Sequence, residues 1–100
     1  IAGGNQVLIG CLRALDHARL EVGRDISLVT CDDVPLSELY HPPIATICRD
    51  NVDIGRTAAE LLLRVLAGGP ASTIVLPTVF QARASCVPPP RRTPTVGTAA

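Results

Sequence analysis

The chain has 100 residues, and its 47% hydrophobic content is enough for one small domain with a buried core. Its formal net charge is zero, and the nine basic residues, all arginines, are scattered along the chain. We therefore expect that this chain by itself does not bind nucleic acids. Because its apolar runs are too short to cross a bilayer, we also expect a soluble, cytoplasmic protein.

The first predicted element is an amphipathic helix over residues 5–20. Its apolar residues recur at steps of three and four, and Asn5 is the expected N-cap. A strand over residues 26–31 follows, and it is apolar on both faces, which is typical of a parallel strand covered by helices on each side.

The remaining elements are short strands and loops around one long helix with an apolar stripe. This helix begins at Asp50 or Asn51 and ends at a Gly-Gly-Pro sequence. In chain order we expect a loop with one helical turn at 34–40, an extended stretch at 44–48, the long helix, strands at 73–76 and 79–84, and a disordered proline-rich tail at 87–100.

This order of elements is an α/β pattern. The strand at 26–31 is the one strongly buried strand, and the later strands are too short and too polar to flank it on both sides. We therefore expect its neighbours in the sheet to come from sequence upstream of Ile1 or from another chain.

Asp32 directly follows the buried strand. In open α/β sheets, ligands bind outside the carboxyl ends of the strands. A carboxylate there accepts hydrogen bonds through two oxygens and suits the vicinal hydroxyls of a sugar or ribose. Asp33 is more simply explained as the cap of the short turn near Leu36. The position therefore predicts that Asp32 binds a small molecule.

Five blocks of sequence, in this order and spacing, resemble the C-terminal part of the sensor domain of LacI/GalR-type transcriptional regulators. The resemblance covers roughly residues 1–88, and we assign residues 1–86 to the domain. It implies a two-lobed, periplasmic-binding-protein-like domain with a parallel, Rossmann-like sheet in each lobe, joined upstream to a helix-turn-helix headpiece. The blocks are 10–15 (GCLRAL), 23–29 (GRDISLV), 32–36 (DDVPL), 40–43 (YHPP) and 55–63 (GRTAAELLL).

The resemblance also implies which residues face the effector, a sugar or a nucleoside. The family's effector-binding aspartate falls on Asp32. A cleft asparagine of several members falls on Gly4, beside Asn5, and a pocket aromatic falls on Asn51. These two departures from the family pattern change the polarity of the expected pocket.

A homodimer is the second implication of the resemblance, with DNA bound only through the headpiece. The contact maps to Ile9, Leu39 and Tyr40, and Tyr40 suits an interface because its ring is large and its tip polar. Alternatively, Tyr40 packs over Pro42 and Pro43. The long second helix belongs to the other lobe in the family, so its apolar stripe should lie bare and favour association.

Other functions have less support in the sequence. An enzyme would depend on Cys31, Asp32 and His41, but nothing in the sequence suggests a lowered thiol pKa. The four cysteines form no C-x-x-C pair and are expected to be buried reduced thiols, and no metal or cofactor is expected. A secreted sugar-binding protein of a transport system, or a non-functional gene remnant, are the alternatives. The sequence upstream would distinguish the regulator from the transport protein: a helix-turn-helix headpiece there indicates the regulator, and a signal peptide indicates the transport protein.

Overall fold

A mixed three-stranded sheet in the order β1-β2-β3 forms the centre of the structure, a computed structural model that describes residues 1–91. β1 and β2 are parallel, whereas β3 runs antiparallel beside β2. The elements are α1 (Asn5–His17), β1 (Val29–Cys31), α2 (Pro35–Leu39), β2 (Ala45–Cys48), α3 (Asn51–Leu66) and β3 (Val79–Gln81).

β1 has a parallel neighbour on each side. Thr30 lies opposite Thr46 of β2, and on the other side it forms a parallel bridge with Ala2. The Ala2 amide donates to the Val29 carbonyl at 2.8 Å, and the Cys31 amide donates to the Ala2 carbonyl at 2.9 Å. The expectation that these neighbours come from outside the chain is therefore wrong. The parallel, interior character of the strand is confirmed, since both threonines and Ala2 are fully buried.

The hydrophobic core lies where α1 packs against β1. Leu8 and Leu12 are the buried residues of α1, one turn apart, as the amphipathic spacing predicts. Burying a leucine side chain completely stabilises the fold by about 1.5–3 kcal/mol. The other buried members of the cluster come from the segments around the sheet and are Ala2, Val22, Leu28 and Ile44.

Several predicted boundaries need correction. The N-cap of α1 is Gly4 rather than Asn5, and α1 ends at His17, because Arg19 takes a left-handed backbone conformation (φ 55°) that a helix does not continue through. The predicted strand at 26–31 is regular only from Val29. Residues 73–76 form no strand, since no other strand within residues 1–91 pairs with them.

The chain that follows β3 closes the amino-terminal end of the sheet. Ser85 is fully buried, and its hydroxyl donates to the Leu28 carbonyl at 2.6 Å while accepting from the Ala45 amide at 2.8 Å. Two residues later, the Val87 amide donates to the Ser27 hydroxyl at 3.0 Å. This segment therefore links the chain before β1 to the start of β2. Of the predicted tail, residues 92–100 lie outside the described residues.

α3 stands apart from the core. Its N-cap is Asp50, whose side chain accepts a hydrogen bond from the Asp53 amide, and none of the residues of α3 is buried. The radius of gyration is 20.1 Å, whereas a compact chain of this length has about 13 Å. Of the predicted apolar stripe, Leu62, Val65 and Leu66 are exposed. Within residues 1–91 no helix is long and apolar enough to cross a bilayer.

The four cysteines, all within the described residues, are free thiols. They are half-buried rather than buried as predicted, and two of them, Cys31 and Cys48, are the last residues of the short strands β1 and β2.

Gly23 gives a test of the packing between the loop before β1 and the chain that follows β3. Its φ is +81°, and a Cβ there would lie 2.8 Å from the Ala84 carbonyl oxygen. Gly23→Ala should lower the free energy of unfolding by more than about 1 kcal/mol, measured by urea denaturation. Gly10→Ala is the matched control: it lies in α1 with no atom within 4 Å of the new Cβ, and should raise stability by up to about 1 kcal/mol. Equal effects of the two substitutions would contradict this packing.

Candidate effector-binding edge

Three chain segments run in parallel and end at the same edge of the sheet, which we call the carboxyl edge. The segment at Ala2 leads into Gly4 and Asn5, β1 leads into Asp32, and β2 leads into Asn51. Gly4 and Asp32 are half-buried, whereas Asn5 and Asn51 are exposed. The topology thus places at one edge all four residues that the sequence singles out for ligand binding.

Asp32 has a left-handed backbone conformation, with φ +69°. Its amide donates to the Ile47 carbonyl at 2.9 Å, so it extends the pairing with β2 by one residue before the chain turns away. Aspartate tolerates this conformation better than most residues, yet it still costs free energy. Strained residues of this kind cluster at functional sites, where the surrounding structure holds them in place.

The Asp32 carboxylate forms a two-pronged ion pair with Arg49. Its Oδ1 accepts from Arg49 Nε at 2.7 Å, and its Oδ2 accepts from Arg49 Nη2. The hydrogen bond from Arg49 is the main reason why the pKa of the Asp32 carboxyl lies below its ordinary value. The same bond raises the pKa of the Arg49 guanidinium. Asp32 is therefore fully ionised at neutral pH.

Arg49 is absent from the candidates that the sequence suggests. The sequence nevertheless contains a feature that could have identified Arg49: it follows the last residue of β2, just as Asp32 follows the last residue of β1. Once the two strands are known to be parallel, the residues after them must share an edge.

Asp33 has a different role from its neighbour. It does not cap α2, whose N-cap is Val34. Instead its carboxylate accepts from Ser37 Oγ at 2.8 Å and from both terminal nitrogens of Arg83, at 2.9 and 3.1 Å. Arg83 also donates to the Ile44 carbonyl at 2.9 Å, and its side chain is only 14% exposed. Asp33 thereby ties α2 to β2 and to the chain after β3.

The carboxyl edge is an open surface. A shallow hollow of about 330 Å³ is lined by residues 24–27 and 87–90, and another of about 340 Å³ is lined by residues between Asp33 and Leu39, next to Asp32 but without including it. Within residues 1–91 no group of His, Cys, Asp and Glu side chains has an arrangement that would hold a metal ion. What the edge offers is hydrogen bonding: an ionised acceptor, a guanidinium and the amides at the start of α1.

Comparison with known proteins identifies the family. Residues 1–86 match the periplasmic binding protein-like domain. The chain is 33% identical over 90 residues to a lactose operon repressor of Rhizobium radiobacter, covering 89% of this chain and 80% of that protein. The chain belongs to the LacI/GalR-type branch of the periplasmic binding protein-like family.

Two further relatives support the assignment of this LacI/GalR-type chain. The lactose operon repressor of Escherichia coli (strain K12) is 37% identical over 68 residues, which are 68% of this chain and 19% of the relative. The crystal structure of the Lac repressor dimer bound to operator and the anti-inducer ONPF matches with a TM-score of 0.68 and 32% identity, covering 86% of this chain and 30% of that one. The chain thus spans about a fifth of the length of the Escherichia coli repressor.

These relatives confirm the predicted α/β, periplasmic-binding-protein-like fold and the predicted family. Both lactose relatives are transcriptional repressors rather than enzymes.

The Asp33 network predicts a specific dependence of stability on pH. Hydrogen bonds from Arg83, then from Ser37, lower the pKa of the Asp33 carboxyl in the folded state. Its stabilisation is therefore complete above the unfolded value of about 3.9 and disappears as the pH falls through the lower folded value. Because the carboxylate is partly exposed, we expect Asp33→Asn to lower the free energy of unfolding at pH 7 by about 1 kcal/mol.

The measurement is urea denaturation of both proteins between pH 7 and pH 3. The difference in stability between the native chain and Asp33→Asn should shrink below about pH 4. A difference that stays constant over this range would show that the carboxylate charge is not what Arg83 stabilises.

Proposed function

We propose that this chain is the effector-binding and dimerisation part of a LacI-type regulator that binds DNA through an N-terminal headpiece. The observation that supports this most directly is the place of Asp32, an ionised and conformationally strained carboxylate at the carboxyl edge of a parallel sheet. Relatives named as operon repressors, one of them bound to operator and an anti-inducer, supply the biological context.

The effector in this proposal is a sugar or a nucleoside. Each Asp32 oxygen uses one lone pair for Arg49 and keeps another, so the carboxylate still accepts hydrogen bonds from two vicinal hydroxyls. Gly4 and Asn5 lie on one side of Asp32 in the sheet, and Asn51 lies on the other. These residues would approach the same ligand from both sides.

A secreted sugar-binding protein of a transport system has the same lobe architecture. The repressor names of the relatives favour the regulator instead. A helix-turn-helix encoded immediately upstream would support the regulator, and a signal peptide there would refute it.

Asp32→Asn in the full-length protein tests the site. The change keeps the size and the backbone tolerance of the side chain but removes its charge, so effector affinity should fall roughly ten- to a hundredfold by titration calorimetry. Asp33→Asn is the matched control, and it should lower stability while leaving affinity within about twofold. Equal losses of affinity in both variants would contradict the assignment of ligand binding to Asp32 rather than Asp33.

The dimer in this proposal forms through Ile9, Leu39 and Tyr40. Leu39 is 74% exposed, although it lies beside half-buried Leu36 and Tyr40, which pack on the core. A large apolar side chain held out from a structured turn is suited to contact with another protein surface. Tyr40 is partly occupied with the core, so it would contribute less than a free tyrosine.

Leu39→Glu should convert the full-length protein from dimer to monomer at micromolar concentration. Each subunit would bring one unpaired carboxylate into the contact, and burying such charges is costly. Sedimentation velocity measures the change. Circular dichroism should show an unaltered fold, since Leu39 contributes little to the core. A dimer of unchanged stability would exclude Leu39 from the interface.

A further inference from the structure

Arg49 has hydrogen-bonding capacity beyond its pair with Asp32. A guanidinium carries five N–H donors, and Asp32 uses one on Nε and one on Nη2. The outer fork, formed by Nη1 and the second N–H of Nη2, donates to no residue within 1–91 in any hydrogen bond of the structure. The Arg49 side chain is 49% exposed, so a ligand can reach this fork.

The geometry of the outer fork favours one class of ligand group. Two parallel N–H donors match the two oxygens of a carboxylate or a phosphate, whereas one hydroxyl engages only one of them. We propose that Arg49 makes the carboxyl edge selective for a sugar that carries an anionic group, a carboxylate or a phosphate, beside its hydroxyls. This inference rests on the effector site proposed above.

The charges around the site are compatible with an anion. Asp32 alone would repel an anionic ligand, but the Asp32–Arg49 pair has no net charge. The nearby Asp50 carboxylate is turned to the start of α3, where it accepts from the Asp53 amide at 2.9 Å. Asp53 in turn pairs with Arg56. Asp50 is paired with an amide rather than with a cation, so the outer fork of Arg49, which donates to no carboxylate within residues 1–91, is the part of this edge that favours an anion.

The start of α1 adds to this preference without being required for it. The N-cap Gly4 has no side chain to cap the helix, and the first turn contains no acidic residue. The free amides there, together with the helix dipole, favour negative charge on the side of Asp32 away from Arg49. Asp32 thus lies between two groups of hydrogen-bond donors.

The test is titration calorimetry on the full-length protein with matched pairs of ligands: galactose and galacturonate, glucose and glucuronate, glucose and glucose 6-phosphate, ribose and ribose 5-phosphate. We expect one acidic member to bind about tenfold more tightly than its neutral partner, by an amount that decreases as salt is added. Whether the carboxylate or the phosphate member shows this preference identifies the anionic group.

Arg49→Gln should reduce the preference to one or below, because Asp32 then lacks its cationic partner, so the acidic member should lose about tenfold more affinity than the neutral member. Arg24→Gln is the control, because Arg24 also pairs with a carboxylate, that of Glu21, but precedes β1 and so lies toward the opposite end of the sheet. It should leave the preference unchanged. A purely structural role for Arg49 would weaken both members of a pair equally.

The possible failures are distinguishable. Neutral sugars that bind through Asp32 as tightly as their acids would overturn the role of Arg49 and leave the effector site intact. An acid preference that survives Arg49→Gln would also overturn it. If no member of any pair binds, both the effector site for sugars and this inference are wrong.

Discussion

The parallel pairing of β1 with a neighbour on each side is the constraint on which the rest of the structure depends. Thr30 is held between Ala2 and Thr46, and all three are buried. Because the three segments run in the same direction, each must leave the sheet at the same edge. Residues 4–5, 32 and 49–51, which are distant in the chain, thereby become neighbours around one surface.

Two consecutive aspartates at this edge form ion pairs with different arginines. Asp32 meets a half-exposed arginine, whereas Asp33 meets an arginine that is largely buried and also holds the Ile44 carbonyl. A pair whose cation is buried contributes to holding α2 in place, while an exposed pair adds little stability and remains available to a ligand. The two carboxylates reach different arginines although they are one peptide unit apart, because the left-handed backbone at Asp32 turns the chain there.

The carboxyl edge is open because α3 extends away from the core. α3 leaves the sheet after β2, exposes Leu62, Leu63 and Leu66, and the chain returns only at β3. In a LacI/GalR-type protein of two lobes, a helix that belongs to the second lobe would behave in this way. The chain covers 30% of the Lac repressor structure to which it is similar.

The sequence by itself determined the elements whose signals are local. The spacing of Leu8 and Leu12 marks α1, the Asp50 cap and the Gly-Gly-Pro ending bound α3, and the apolar run before Asp32 marks β1. Strand-end position alone was enough to single out Asp32. These features are encoded within a few residues, so they can be read without knowledge of the remaining chain.

Only the tertiary structure decided which distant residues meet. That β2 and Ala2 flank β1, that Arg49 pairs with Asp32, and that Arg83 pairs with Asp33 are contacts across 16 to 50 residues of chain. Such contacts depend on strand order and register, and the sequence pattern of a strand specifies which face is buried but not which strand lies beside it. The fold therefore decided that Asp32 is half of an ion pair rather than a lone carboxylate, and that the outer fork of Arg49 donates to no group within residues 1–91.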